Sequence, residues 1–275
     1  MNSNIIAIAG ASGFVGQALQ NTLANVVVLD RDDSVEELVE KLARVDVVIN
    51  LAGAPIVKRW SEEYKKVLYS SRIETTKKLV NAINKSAVSY FISTSAIGIY
   101  PTGVKCDESC KTVADDFLAK LCMNWEKEAL KCTKATAIVR LGVVLGDGGA
   151  LAKMLLPFKL GLGGVIGDGK MMTSWVALEE LLNIYQFLIT SKHEGIFNAV
   201  SPSPVSNATF TKALGKVLRR PTFFPLPVWV LKLIYGEASS VLVDSKEVYP
   251  TKLLACGYRF EYSSIDSALE GIIRL

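Results

Sequence analysis

The segment from Ile5 to Gly16, Ile-Ile-Ala-Ile-Ala-Gly-Ala-Ser-Gly-Phe-Val-Gly, restricts the folds open to this chain more than any other. Its apolar run is too short to be a helix with its own core face, and it stops at Gly10 ahead of the helix-forming stretch Phe14 to Leu23. That pattern is a buried parallel strand, a tight turn and a helix start. Gly10, Gly13 and Gly16 stand at G-x-x-G-x-x-G spacing, and each meets a physical need. Gly10 can turn the chain sharply, Gly13 has no Cβ where a pyrophosphate must approach, and Gly16 lets the helix lie close to the strand. The helix start then offers unpaired N–H groups and a partial positive charge to a phosphate. A glycine triplet can also form a turn that binds nothing. Its position between a clear strand and a helix, at the head of an α/β pattern, favours a dinucleotide.

The next strand, Val26 to Leu29, ends in Asp30-Arg31, where a dinucleotide fold meets the adenosine ribose. An acid here takes the ribose hydroxyls of NAD, and an arginine neutralises the extra phosphate of NADP. Both are present, so the residues alone leave the choice open. Ser34 is the expected N-cap of a helix to Ala43, with Glu36 and Glu37 in its first turn. The apolar run Asp46 to Leu51 follows so soon that only one helix fits between. The strand that usually comes next in a doubly wound sheet is therefore expected to be missing, leaving Val26 to Leu29 at the edge. Helices over 61–84 and Phe117 to Leu130, and strands at Val88 to Thr94 and Ala135 to Leu141, complete a parallel α/β pattern.

The texture changes at Gly142. Gly146-Asp-Gly-Gly149 and the glycine-rich stretch Gly161 to Gly169 bracket an apolar helix, Leu151 to Lys159. After Pro202 the chain reads as short helices and turns, with Pro221, Pro225, Pro227 and Pro250 as punctuation. This part is expected to form a smaller lobe over the strand ends, where open α/β sheets bind ligands.

With 275 residues, half of them hydrophobic, the chain suits one large domain or a large domain with a small appendage. A net charge of +4 with scattered lysines does not point to nucleic acid. The N-terminus runs into the first strand without a basic region or cleavage site, so no signal peptide is expected. The best membrane candidate, Phe223 to Tyr235, is cut by Pro225, Pro227 and Lys232 and falls short of the ~20 residues of a span. A cytoplasmic protein with no membrane partner is the expectation. Cys106, Cys110, Cys122, Cys132 and Cys256 lack C-x-x-C spacing and read as reduced thiols, and no metal site is expected. The single histidine, His193, sits in a polar turn, which argues against histidine catalysis.

The motifs Gly10-Ala-Ser-Gly-Phe-Val-Gly16, Asn50-Leu-Ala-Gly53, Ser71-Arg-Ile-Glu-Thr-Thr76, Ser93-Thr-Ser-Ala-Ile-Gly-Ile-Tyr100 and Arg140-Leu-Gly-Val-Val-Leu-Gly-Asp-Gly-Gly149 together resemble the extended short-chain dehydrogenase/reductase superfamily. Within it the likeness is to the atypical NAD(P)-dependent epimerase-family proteins, grouped with sugar-nucleotide epimerases. It continues through Leu160-Gly-Leu-Gly-Gly164, Phe197-Asn-Ala-Val-Ser-Pro202 and Ser245 to Gly257 and covers nearly the whole chain. The resemblance implies a Rossmann-type doubly wound parallel sheet with a smaller mixed C-terminal substrate lobe. The cofactor domain would span residues 1–145 with a returning segment at about 172–200. The lobe would take 146–275, including a C-terminal family domain at about 222–272.

The same resemblance implies that Gly10, Ser12, Gly13, Phe14, Val15 and Gly16 form the cofactor loop and that Leu51, Ala52 and Gly53 line the adenosine side. Asp30 and Arg31 would face the ribose and its phosphate, Arg72 would contact the cofactor, and Val144 would border the nicotinamide. NADP is the implied cofactor with NAD as the alternative, the substrate is an unidentified small molecule, and a homodimer follows by analogy. In the wider superfamily a serine works with Tyr-x-x-x-Lys on one helix. Here Leu118 stands at the tyrosine position and Cys122 at the lysine position, and Lys120 points elsewhere on the helix. Ser95 keeps the serine position and Tyr100 follows on the loop. These are the candidate catalytic pair, Ser95 for a substrate carbonyl and Tyr100 for the proton; otherwise they cap strand ends and pack under the lobe. Met171, Met172 and Trp175 line a pocket or belong to the core. Trp60, with Lys58 and Arg59, is a rim that stacks on or pairs with an anionic ligand, or a solvated helix entry. Two function classes follow: an oxidoreductase or epimerase, and a non-catalytic dinucleotide-binding sensor or scaffold.

Overall fold

The computed structural model of the chain describes residues 4–274. In chain order the first half runs β1 (Ile6–Ala9), α1 (Phe14–Thr22), β2 (Val26–Leu29), α2 (Val35–Lys41), β3 (Val47–Asn50), α3 (Glu62–Tyr69), α4 (Thr75–Asn84), β4 (Tyr90–Ala96), β5 (Lys105–Cys106), α5 (Phe117–Ala129) and β6 (Ala135–Leu141). The second half continues with β7 (Val143–Gly146), α6 (Gly149–Lys159), β8 (Met172–Thr173), β9 (Trp175–Ala177), α7 (Leu178–Ser191), β10 (Gly195–Ala199), β11 (Val205–Ser206) and α8 (Asn207–Leu218). It closes with α9 (Val228–Tyr235), α10 (Ser240–Val243), β12 (Glu247–Val248), α11 (Thr251–Ala255) and α12 (Ile265–Arg274). A single π turn, Ser70–Glu74, joins α3 to α4.

Six strands form one parallel sheet in the order β10-β6-β4-β3-β1-β2. Because side chains alternate along a strand, both faces must be apolar and covered. Ile6, Ile8, Val47, Ile49, Tyr90 and Ile92 pack under α1, α7 and α11, where Leu19, Ile184, Leu188 and Leu253 meet them. Ala7, Val48, Phe91 and Ile138 face α2, α4 and α5 through Leu38, Leu79, Ile83 and Ala129. β2 is the edge strand, as the short connection to β3 requires: α2 fills the space and no further strand intervenes. The order reverses direction on either side of β1, which opens a crevice between β1 and β3 at their carboxyl ends.

Local capping sets the register of α2. The Ser34 hydroxyl accepts from the Glu37 N–H at 3.1 Å while the Glu37 carboxylate accepts from the Ser34 N–H at 2.7 Å, a reciprocal capping box. Ser34→Ala is expected to lower stability by about 1 kcal/mol, read as a shifted urea midpoint at unchanged slope.

The smaller C-terminal region carries two-stranded pairs, β11 with β8, β12 with β5, and β7 with β9. Its core joins Leu151, Phe158, Trp175, Phe210, Leu214 and Leu269. The reading of short helices after Pro202 is corrected here: α8 runs 12 residues and α12 runs 10. Pro221, Pro225 and Pro227 lie between α8 and α9, Pro250 caps α11, and the helices α9, α10 and α11 are short as expected, at 8, 4 and 5 residues. Trp175 resolves as core, fully enclosed. Trp60 is corrected: it is no solvated helix entry but packs in a buried cluster beside Phe117, at 5.2 Å between ring centroids.

Candidate functional site

The first glycine loop is fixed by backbone contacts. Gly10 has φ +81°, and a Cβ there would meet the Leu51 carbonyl carbon at 2.7 Å, so the turns after β1 and β3 touch directly. A Cβ at Gly16 would fall 2.3 Å from the Gly10 carbonyl oxygen, which is why α1 can start so close beneath β1. Gly13 differs. Its Cβ would meet only the Gly10 oxygen, at 3.3 Å, and otherwise open space. Gly13 is also the N-cap of α1 without a side-chain cap, and the first turn holds no acid. The first amides of α1 therefore lack an internal acceptor and face outward with a partial positive charge. These residues fit a pyrophosphate.

Phe14 holds this cradle to the second half of the chain. Its ring occupies the space where a Cβ on Gly146, Gly148 or Gly149 would fall, at 2.9, 2.6 and 3.0 Å. Ser12 is exposed, its carbonyl accepting from Gln17, and Val15 packs against the sheet core. Val144 pairs with Val176 across β7 and β9 and packs on the same core.

At the end of β2, Asp30 and Arg31 are both exposed. Lys41 reaches Asp30 at 3.3 Å and Asp33 at 2.7 Å, while Lys78 donates to the carbonyls of Arg31 and Asp33. Arg31, Lys41 and Lys78 thus share this corner with Asp30, Asp32 and Asp33, and the Asp33 carboxyl is held below its ordinary value despite its desolvation, by Lys41 and by the Asp30 amide.

After β3, Asn50 shapes the segment Leu51, Ala52 and Gly53. Its side chain accepts from the Ala52 N–H at 3.1 Å and donates to Thr76 at 2.8 Å, and Thr76 also accepts from Trp125. The Arg72 guanidinium lies beside Gly53, donates to the Ala54 carbonyl at 3.0 Å and stacks on Trp125 at 5.3 Å. Burial pulls its pKa down, since carbonyls and a ring replace water around it.

A second polar group lies at the ends of β4, β6 and β10. Ser95, Arg140 and Asn198 are register partners across the three strands, so their side chains form one row on the α5 face. Ser95 donates to Glu126 of α5 at 2.6 Å, and Arg140 binds both Glu126 oxygens at 2.8 Å. Arg140 also donates to the Tyr100 hydroxyl at 2.8 Å, which donates to Asn198 at 2.9 Å. Asn198 and Lys252 offer backbone amides to Glu108. Ser95 and Tyr100 are each 1% exposed. Burial raises the Tyr100 phenol, with Arg140 and Asn198 pulling the other way. Burial works against the charge on Arg140, but the Glu126 bonds outweigh it and hold the guanidinium ionised.

Leu118 is apolar, and Cys122 bonds to the Ala96 backbone. The Leu118 side chain fills the space above Gly98, where a Cβ would meet it at 2.6 Å. Cys122 is enclosed, and burial pushes its thiol up to about 12. Lys120 points away and pairs with Asp115 at the surface. No group of three or more histidine, cysteine or acidic side chains among the described residues could hold a metal.

The model of the NAD dependent epimerase/dehydratase family matches residues 6–199. The chain belongs to that family. A domain of unknown function, DUF1731, matches residues 226–272. The chain is similar to epimerase family protein SDR39U1 of Mus musculus, at 35% identity over 98% of this chain and 99% of that protein. It is 35% identical to the SDR39U1 homolog of Arabidopsis thaliana, named chloroplastic, over 98% of this chain and 86% of that one. The crystal structure of human SDR39U1 isoform 2 with NADPH superposes with a TM-score of 0.91 at 32% identity, covering 98% and 99% of the two chains. No helix among the described residues is long and apolar enough to cross a membrane.

For this family member, sequence reasoning assigned the cradle residues but gave no partner to Arg140 and no role to Asn50 or Asn198. The available signal was polarity out of place. Each is a polar side chain inside or ending an apolar strand, and such groups are buried only with partners.

Proposed function

We propose that this epimerase-family chain binds NADP(H) in the crevice between β1 and β3 and acts as a reductase or epimerase on a small carbonyl or nucleotide-sugar substrate over the strand ends. The observation that carries the cofactor part is the uncapped start of α1 beside a glycine whose missing Cβ leaves room for a diphosphate. The exposed Arg31 beside the ribose position supports NADP over NAD, as does the NADPH held by the human relative. When bound, the nicotinamide supplies hydride transfer. Arg72 and the Leu51–Gly53 turn would then hold the cofactor's ribose side, with Val144 near the nicotinamide.

In this reading Ser95 and Tyr100 serve the site through their network. Glu126 and Arg140 tie both hydroxyls to the ends of β4, β6 and β10 and so set the floor under the substrate. For Tyr100 to hand a proton to substrate directly, its phenol must release Asn198, the acceptor of that proton. Tyr100→Phe separates the cases: a direct donor loses about 100-fold or more in turnover at unchanged KM, whereas a floor residue loses a few-fold with lowered stability. The enclosed Leu118 and Cys122 favour a second reading, a dinucleotide-binding sensor or scaffold without turnover. The deciding experiment follows NADPH consumption with a panel of aldehydes and nucleotide keto-sugars. Oxidation of NADPH with any of them supports a reductase, and inversion of a nucleotide sugar with no net loss of NADPH, read by NMR, supports an epimerase; saturable binding with neither supports the sensor.

Arg31→Ala is expected to weaken NADPH binding about 10- to 100-fold and to leave NADH binding unchanged, because it removes a charged contact to a group only NADPH carries. Parallel fluorescence titrations with the two reduced cofactors measure it. Equal loss for both would remove Arg31 from the phosphate's surroundings.

A further inference from the structure

The loop from Cys106 to Cys110 takes no part in the cradle. Cys106 ends β5, where it pairs with Val248 of β12, and the chain returns so that the two Sγ atoms lie 2.6 Å apart. Unbonded sulfurs do not pack so closely, and a bonded pair sits at about 2.05 Å, so a small movement would join them. Cys106 is buried beneath the loop; Cys110 is partly exposed and borders an open recess with Lys105, Asp107, Ser109 and Tyr249. The loop is anchored at its middle. Glu108 accepts the amides of Asn198 and Lys252 at 2.8 and 3.1 Å, and Asp107 accepts from the Thr251 hydroxyl at 3.0 Å.

We propose that Cys106 and Cys110 form a reversible disulfide site, oxidised by a small-molecule disulfide such as oxidised glutathione. Cys110, the accessible thiol, gives its proton to solvent and attacks one sulfur of the small disulfide. That S–S bond breaks, one small thiolate leaves, and Cys110 carries the other half as a mixed disulfide. Cys106 then loses its proton and attacks the Cys110 sulfur, expelling the second small thiolate. The protein gives up two electrons and two protons, and the small disulfide is reduced to two thiols. Burial, and then the bond and charge at Cys110, push the Cys106 thiol up to about 12, which makes it the resolving partner and Cys110 the attacker. The closed loop would fix Glu108 under Asn198, the acceptor of the Tyr100 hydroxyl. It lies apart from the glycine cradle and does not rest on the cofactor reading.

The test treats the purified full chain with oxidised glutathione, alkylates the remaining thiols and maps the peptides without reduction. The expected product is a Cys106–Cys110 cross-link lighter by two hydrogens, reversed by dithiothreitol, with a thermal midpoint about 3 °C above the reduced protein. Cys106→Ser should trap glutathione on Cys110, and Cys110→Ser should yield no cross-link and no midpoint shift. If Cys106→Ser fails to fold, wild type against Cys110→Ser decides alone. The proposal is overturned if both thiols of the treated wild type still alkylate, or if Cys110 keeps glutathione while Cys106 stays free.

Discussion

Gly13→Ala is expected to weaken NADPH binding at least tenfold while moving the thermal midpoint by no more than about 2 °C. The added methyl meets only one protein atom, at 3.3 Å, and Gly13 has an ordinary φ of −75°, so the fold accepts alanine. The methyl instead occupies the approach to the first amides of α1, and each charged hydrogen bond lost to a phosphate costs about 1.5–3 kcal/mol. Gly16→Ala is the contrast. Its Cβ would fall 2.3 Å from the Gly10 oxygen and 2.8 Å from the Ala11 Cα, both backbone atoms that cannot rotate away. Helix α1 must shift outward, at about 1–3 kcal/mol or more, so stability and affinity should fall together. Differential scanning fluorimetry and calorimetry on the two variants distinguish a blocked cradle from a displaced helix.

Glu126→Ala should be the most destabilising change in the polar row, at about 3–5 kcal/mol. It leaves Arg140, 6% exposed, with the Tyr100 hydroxyl as its remaining side-chain partner and strips the acceptor from Ser95. The penalty is that of an unpaired buried charge rather than of a lost attraction. The double variant Glu126→Met with Arg140→Met should therefore recover much of the loss, because two apolar side chains of similar volume replace the pair. Urea denaturation of the single and double variants measures this. Additive losses in the double variant would show that the pair is worth more than its desolvation.

The order of strands and helices was legible because each short apolar run and each amphipathic stretch has its own period. Ala135 to Leu141 kept its bounds as β6, and the Ser34 cap formed as its flanking acids imply. The length of the helix after Pro202 was hidden because Asn207 to Leu218 sets threonines, lysines and a glycine among its apolar residues, and packing on α12 helps to hold it. The cradle was legible since glycine spacing reports backbone geometry directly. The partners of Ser95 and Tyr100 were not. Ser95 finds Glu126 31 residues away and Tyr100 finds Asn198 98 residues away, through a strand register that no local pattern encodes. The contact of Phe14 with the turn at Gly146 to Gly149 is of the same kind.

Isothermal calorimetry of the purified chain with NADPH and with NADH bears most directly on the central claim, that the open amides of α1 hold a pyridine dinucleotide. Saturable binding of one NADPH per chain at about micromolar Kd or tighter, with NADH at least tenfold weaker, is the predicted result. Absence of heat with both cofactors, in a sample shown to be folded by a cooperative thermal transition, would contradict it.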